Sequence, residues 1–277
     1  MPIFDNHIHL QASFKGIEAA KAFENAGGTA FLLTHMPYAE IPIRVGKDYE
    51  RAYRKTLAMA DAARQATSIR VFVALGPYPV DFLQLKESVG PEAAADAMRE
   101  GFDLAAGHIA EQRAVAFGEI GRPHFPVGAD VLRACNELLA YGMARARESD
   151  CAVVLHTEDP SPQTFAELAE MAAKVGLDAS RVVKHHSTPL TRPEENYGLV
   201  PSVLAKQDIV TEALKGGPRF LLETDYIDDP RRPGAVLGPA TVPRKTKAWI
   251  QAGVLTEADA WSIHHDLPER TYRIDLD

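Results

Sequence analysis

Two histidines near the N-terminus have a spacing that suits metal binding. The segment Asp-Asn-His-Ile-His-Leu places His7 and His9 one residue apart. In an extended strand alternate side chains project to the same side, so the two imidazoles would converge. Two converging imidazoles make half of a typical metal site. Taken alone the pattern is weak, because paired histidines also occur at ordinary surface and core positions.

Four further apolar runs each end in a type of side chain that binds metals: Glu119, His156, the pair His185-His186, and Asp225. Such groups are costly to bury without partners, so their repeated placement at the same end of apolar runs indicates a shared function. A set of imidazoles and carboxylates without thiolates suits Zn, Mn, Co, Ni or Fe, with Mg as a further alternative. With one histidine of the pair counted, six ligands exceed the needs of one tetrahedral ion, which leaves one or two ions per chain open, with zinc as the first expectation.

Short β-rich runs alternate with helical segments along the chain, and this alternation predicts the fold. The predicted strands are residues 3–8, 29–34, 69–75, 114–120, 152–156, 181–185, a weaker 198–203, and 220–224. Such an order implies parallel strands with helices packed outside. Eight runs in 277 residues favour one domain, 1–277, folded as an α/β TIM-type (β/α)8 barrel, with a doubly wound sheet as the alternative. In a barrel the strand ends meet at one mouth, which would bring the metal-binding residue types together.

Capping patterns predict several helix boundaries. Thr164 with Glu167, and Thr256 with Asp259, have the spacing of a capping box, and Asp130 can begin a helix whose inner face carries apolar residues. Two connections, residues 36–48 and 226–243, are longer than the fold requires. Both follow strands, so in a barrel both would lie over the catalytic face.

Composition narrows the class of protein. The formal net charge of -8 gives no support to a broad nucleic-acid-binding surface, although metal ions can supply positive charge inside a small site. The two cysteines, Cys135 and Cys151, are too few for a disulfide framework and are expected in the core. The sequence has neither a signal-peptide pattern nor a long apolar segment, which predicts a cytoplasmic protein without a membrane partner. The oligomeric state is left open.

Four motifs together resemble the TatD-related metal-dependent hydrolases of the amidohydrolase superfamily. They are His7-Ile8-His9, Gly118-Glu119-Ile120-Gly121, Leu155-His156-Thr157 and Glu223-Thr224-Asp225, and they run from the first strand to the last. The resemblance implies a (β/α)8 barrel with a binuclear centre. His7, His9, Glu119 and Asp225 would hold one ion, and Glu119, His156 and His185 the second. The family includes phosphodiesterases that act on DNA, but this chain departs from its DNases after His185 and after Asp225, which argues against DNA as the substrate.

The resulting hypothesis is hydrolysis by a metal-activated water, with Asp225 as the general base and Glu119 as a second catalytic residue. Phosphoesters are the first substrate class. A carboxylic ester, lactone or amide is the alternative, and a barrel that binds metal or ligand without turnover is a further one. Four residues are candidates for substrate binding: His186, which a regular strand would direct away from His185, and Tyr226, Arg231 and Arg232 in the long loop.

Overall fold

The computed structural model describes residues 1–231 and 237–277, in which parallel strands alternate with helices. The strands are Phe4–His9 (β1), Ala30–Thr34 (β2), Arg70–Leu75 (β3), Ala116–Gly121 (β4), Ala152–His156 (β5), Val182–Lys184 (β6), Val200–Leu204 (β7), Leu221–Glu223 (β8) and Tyr226–Ile227 (β9). The α-helices are Ile17–Asn25 (α1), Asp48–Ala66 (α2), Asp81–Val89 (α3), Pro91–Ala110 (α4), Ala129–Glu148 (α5), Pro162–Val175 (α6), Pro193–Asn196 (α7), Gln207–Ala213 (α8), Thr241–Gln251 (α9), Glu257–Trp261 (α10) and Leu267–Tyr272 (α11). Two 3-10 turns, Ala179–Arg181 and Leu214–Gly216, and a π-helical segment, Ser262–Asp266, complete the elements.

The strands follow one another around the sheet in chain order, and the last one closes it. β8 pairs with β7, whereas β9, two residues further on, pairs with β1 through Ile8 and Tyr226. Between them Asp225 has a φ of 49°, in the left-handed region, which interrupts the strand. Residues 221–227 therefore bridge the two edges of the sheet. The predicted (β/α)8 barrel is confirmed. The strand with the weakest sequence signal, predicted at residues 198–203, is β7.

The two faces of the strands carry different residues, and this difference positions the chemistry. Small and branched side chains fill the barrel interior, among them Ala152 and Val154 of β5 and Val183 of β6. Because strand side chains alternate, the next positions on the same side are His156 and His185. Both histidines are thus delivered to the carboxyl end of the barrel by the same alternation that fills its core.

Helix boundaries differ from the predicted ones where an earlier cap is available. α6 begins one turn before Thr164, because Ser161 accepts the Thr164 amide at 3.2 Å and Pro162 starts the helix. The prediction of a capping box at Thr164 is therefore wrong, whereas the box formed by Thr256 and Asp259 is confirmed.

Helix α5 also starts differently from the prediction. It begins at Ala129 with Gly128 at its N-cap, so Asp130 lies inside the first turn instead of capping it. Its buried face includes Cys135, and Cys151 at the start of the following strand is buried too, as expected for two small core residues. Among the described residues, none of the helices has the length and apolar character required to cross a membrane.

The π-helical segment contributes a buried histidine that ties the C-terminal helices to β1. His264 is fully buried, with Nδ1 3.0 Å from the Phe4 carbonyl oxygen and Nε2 2.9 Å from Thr246 Oγ1. Burial lowers the pKa of His264 to about 4. The imidazole is therefore neutral in the folded protein at pH values where an exposed histidine is already protonated.

This histidine predicts a loss of stability in acid. Its pKa is 6.5 in the unfolded chain and about 4 in the folded protein, so between these values only the unfolded chain binds the proton. Stability from this group is complete above pH 6.5 and falls by about 3 kcal/mol as the pH drops to 4. Urea unfolding of His264→Gln should show a correspondingly weaker pH dependence between pH 6.5 and 4 than the wild type. Equal dependence in both proteins would contradict the assignment.

Candidate metal centre

The paired histidines of β1 converge at the barrel mouth. His7 Nε2 and His9 Nε2 lie 3.0 Å apart, and both side chains are buried. The other ring nitrogen of His9, Nδ1, lies 2.9 Å from the Thr34 carbonyl oxygen. Since a carbonyl oxygen only accepts, Nδ1 carries the proton, and the lone pair of His9 Nε2 points into the site.

Glu119, at the end of β4, faces histidines from both sides. Its Oε1 lies 2.7 Å from His7 Nε2 and 3.3 Å from His9 Nε2, and its Oε2 lies 3.0 Å from His156 Nδ1. Burial raises the pKa of Glu119, but the neighbouring imidazoles outweigh it and hold the pKa well below its usual range. An ionised carboxylate therefore stands between two groups of ring nitrogens.

His156 has a buried nitrogen that is directed at this carboxylate. Within the described part of the chain, His156 Nδ1 makes no hydrogen bond of acceptable geometry. Its Nε2 lies 2.9 Å from His124 Nδ1 and 3.5 Å from the Tyr78 hydroxyl. In a histidine that ligates a metal, one ring nitrogen binds the ion and the other is hydrogen-bonded elsewhere, and the two nitrogens of His156 are arranged in this way.

His185 is oriented by Glu223, which belongs to one of the family motifs but is not among the predicted site residues. His185 Nδ1 lies 3.2 Å from Glu223 Oε1, while its Nε2 lies 3.5 Å from Glu119 Oε1. The fully buried Glu223 also accepts the His186 amide at 2.7 Å and the Ser202 hydroxyl at 2.5 Å. A carboxylate that holds one ring nitrogen of a histidine leaves the other free to act as a ligand.

His186 turns away from the buried cluster towards the cavity. It has a φ of 49°, its side chain is 47% exposed, and its Nδ1 lies 3.1 Å from Asp225 Oδ2. Asp225 itself is buried, with Oδ1 3.9 Å from His9 Nε2. Burial raises the pKa of Asp225, but the hydrogen bond from His186 and the nearby histidines lower it to about 2. His185 thus lies inside the cluster, His186 at its edge, and the Asp225 carboxylate is ionised at neutral pH.

The six candidate ligands from five strand ends are brought together, in groups whose ligand atoms all lie within 4.8 Å of one another. The groups are His7, His9, Glu119 and Asp225; Glu119, His156 and His185; and His7, His185 and Glu223. The first two have the same members as the two sets implied by the family resemblance, and they share Glu119. Nitrogen and oxygen donors with no sulfur suit a divalent metal, so the cluster fits the expected cofactor.

The cluster opens into a cavity of about 440 Å³. Two of the residues that line it, His124 and Tyr78, are not among the predicted site residues. The path of the chain after β4 places His124 there. Gly121 has a φ of 144°, and a Cβ at this position would lie 2.2 Å from the His156 carbonyl oxygen, so only glycine permits the close approach. The Arg122 amide then donates to that carbonyl at 2.9 Å, which lays the following residues along His156.

The remaining substrate-binding candidates lie apart from this cavity. The Tyr226 hydroxyl donates to Asp228 Oδ1 at 3.1 Å, and the Tyr226 ring packs in the core, so it does not face the metal-binding cluster. The Arg231 guanidinium is largely exposed and lies 2.7 Å from Asp229 Oδ2. Arg232 lies outside the described residues. Of the predicted substrate-binding residues that the structure describes, only His186 lines the cavity beside the cluster, which we call the catalytic cavity.

Comparison with known proteins agrees with this geometry. Residues 4–273 match the family described as TatD related DNase. The chain belongs to this family. A relative from Methanocaldococcus jannaschii, an uncharacterized protein, is 35% identical over all of this chain and 98% of its own. This family membership, with the buried cluster of histidines and acids, identifies the chain as a metal-dependent hydrolase.

Two solved structures share the fold at low sequence identity. A TatD-like protein from Archaeoglobus fulgidus is 17% identical, with a TM-score of 0.64 over 98% of this chain and 100% of that one. A phosphotriesterase homology protein from Escherichia coli, solved with phosphate in its active site, is 13% identical, with a TM-score of 0.67 over 98% of each chain. At such identities the likeness concerns the barrel fold alone.

Proposed function

We propose that this TatD-related protein is a phosphoester hydrolase with two metal ions. The observation that carries the proposal is the position of Glu119, whose two oxygens face separate groups of histidine nitrogens. A carboxylate in this position can bridge two ions. Paired ions suit phosphoester cleavage, because together they can stabilise both the attacking and the leaving oxygen.

The proposed ligand sets follow the two groups that share this carboxylate. His7, His9, Glu119 and Asp225 would hold the first ion, and Glu119, His156 and His185 would hold the second. Zinc is the proposed metal, since it prefers few ligands drawn from nitrogen and oxygen donors. Manganese, cobalt, nickel, iron and magnesium are the alternatives to be compared with it.

The residues of the chain then supply binding and proton transfer. A divalent metal held by these residues would supply a more acidic water and would polarise the substrate oxygen. Asp225 is ionised and accepts a proton from the attacking water while the water oxygen bonds to phosphorus. The bond between phosphorus and the ester oxygen breaks, and the alcohol leaves after taking a proton from solvent. His186, hydrogen-bonded to Asp225, orients that carboxylate at the cavity wall.

The cavity also limits the class of substrate. At about 440 Å³ it has the size of a small-molecule site, and the net charge of -8 does not favour a nucleic-acid surface. We therefore propose small phosphoesters ahead of DNA.

One observation favours a second candidate, the hydrolysis of a carboxylic ester or lactone. Among the described residues that line the catalytic cavity there is neither lysine nor arginine. A neutral ester would not need such a cation, whereas a phosphoester would rely on the metal ions and histidines for its charge. The same metal geometry serves both reactions.

The two candidates are separated by direct assay. Protein loaded with zinc or manganese is to be tested against phosphomonoesters, phosphodiesters, carboxylic esters and lactones, before and after chelation. Chelator-sensitive release of phosphate or of an alcohol from a phosphodiester supports the proposal. Turnover confined to carboxylic esters or lactones would replace it with the second candidate.

Glu223→Gln tests how the second ion is held. The substitution keeps the shape of the side chain but weakens its hold on His185, so we expect the affinity for zinc to fall by about 10- to 100-fold. Calorimetric titration of metal-free protein with zinc measures this affinity directly. Glu212→Gln, at an exposed glutamate that pairs with Lys215, is the matched control. Unchanged zinc affinity in Glu223→Gln would show that Glu223 does not orient the ligand.

A further inference from the structure

A second cavity, of about 640 Å³, adjoins the catalytic one. The two share walls formed by Met36, Pro37 and Tyr78, so they lie side by side. We call this second cavity the annex. It lies between the connections that follow β1, β2 and β3, at the same end of the barrel as the candidate metal centre.

Apolar side chains form much of the annex wall. Phe14 contributes from the first connection, and Tyr38, Ile41 and Ile43 contribute from the second. Phe14 is 39% exposed, so part of its ring is accessible. Concave apolar surface of this kind is the usual lining of a ligand site. Residues 36–43, part of a connection longer than the fold requires, supply a large share of this wall.

The charged groups of the annex already have partners. Arg231 pairs with Asp229 at 2.7 Å, Glu40 pairs with Lys55, and Asp81 accepts the Tyr49 hydroxyl at 3.1 Å. Among the described residues, each cation or carboxylate that lines the annex therefore has an ion-pair or hydrogen-bond partner. An anionic group would have to displace one of these pairs, whereas an uncharged apolar group would leave them intact.

We propose that the annex binds a bulky apolar group of the substrate while the ester bond lies at the metal centre. This proposal rests on the proposed function and narrows it to esters that carry an aromatic or similarly large apolar group. The shared walls place such a group directly beside the catalytic cavity. A volume of about 640 Å³ lies within the range of cavities that hold drug-sized molecules, and so accommodates more than a single ring.

The first test measures the annex without turnover. Ala39 is exposed and lines the annex but not the catalytic cavity, so Ala39→Trp should fill the annex and leave the metal ligands untouched. The control is Ala93→Trp, at an exposed position on α4. Binding of 1-naphthol, an uncharged aromatic probe, is measured by calorimetry on metal-free protein. We expect Kd to rise about tenfold or more in Ala39→Trp and to stay unchanged in Ala93→Trp. Equal binding in all three proteins, or no binding to the wild type, would overturn the proposal.

The second test uses turnover and separates this proposal from the proposed function. Each variant is assayed with phenyl phosphate and methyl phosphate, and with diphenyl and dimethyl phosphate. Each substrate is compared across the variants, because the reactivity of its leaving group is then the same in every measurement. Ala39→Trp should raise KM for the phenyl esters by about tenfold and leave kcat/KM for the methyl esters unchanged. Equal KM values for phenyl esters in both variants would overturn the annex proposal and leave the hydrolase intact. If every phosphoester fails as a substrate, the proposed function is contradicted, and the naphthol measurement still decides the annex.

Discussion

Glu119→Gln is expected to lower both metal content and turnover strongly. In the wild type, one oxygen of the Glu119 carboxylate faces His7 and His9, and the other faces His156. The substitution replaces this carboxylate with an amide. An amide presents one acceptor and one donor group, so it cannot bridge two cations. We expect the metal content to fall from roughly two ions per chain to below one. Because bound metal supplies several kcal/mol of transition-state stabilisation, kcat/KM should fall by more than about 10³-fold.

The control for this experiment is again Glu212→Gln, which changes an exposed glutamate on α8 without reaching the barrel interior. Circular dichroism and thermal unfolding of both variants establish that the fold is retained. If Glu119→Gln kept full metal content and wild-type turnover, the bridging role of this carboxylate would be excluded.

Asp225→Asn is expected to lower turnover much more than metal content. Asparagine retains an oxygen that can reach the first ion, but it cannot accept a proton from the attacking water. General-base catalysis contributes about 10²- to 10⁴-fold, so kcat should fall within that range while elemental analysis still finds most of the metal.

Asp159→Asn is the matched control for the base. Asp159 also lines the catalytic cavity, but it belongs to none of the groups of candidate ligands among the described residues. Its substitution should leave kcat within about threefold of the wild type, as expected for a residue outside the chemistry. If instead Asp225→Asn retained full turnover, or if Asp159→Asn caused the larger loss, the general base would have to be reassigned.

The fold was predictable because it depends on patterns that are local in sequence. The alternation of apolar runs with helical segments fixes the order of strands and helices, and parallel strands with outer helices follow from it. The same local alternation explains why His156 and His185 could be placed at strand ends on the interior side. Residues of this kind need no knowledge of loop conformation.

Residues whose positions depend on tertiary packing were not predictable in the same way. Glu223 is the last residue of β8, and its local sequence gives no sign that it orients His185. His124 reaches His156 only because the chain after Gly121 runs along the end of β5. The position of Tyr226 in the long loop makes it a candidate for substrate binding, yet its hydroxyl donates to Asp228.

Helix starts show the same limit on a smaller scale. Thr164 and Glu167 have the spacing of a capping box, but Ser161 lies one turn earlier and is followed by Pro162, which suits the first position of a helix. Local motifs compete in such cases, and the earlier cap extends the helix by a turn. Spacing alone does not decide between them.

Elemental analysis of the purified protein tests the central claim most directly. The proposed ligand sets predict roughly two divalent transition-metal ions per chain, removed by chelation together with hydrolysis and restored with it when zinc or manganese is added back. Protein that contains no such metal, and gains neither bound metal nor turnover when these ions are supplied, would contradict the account.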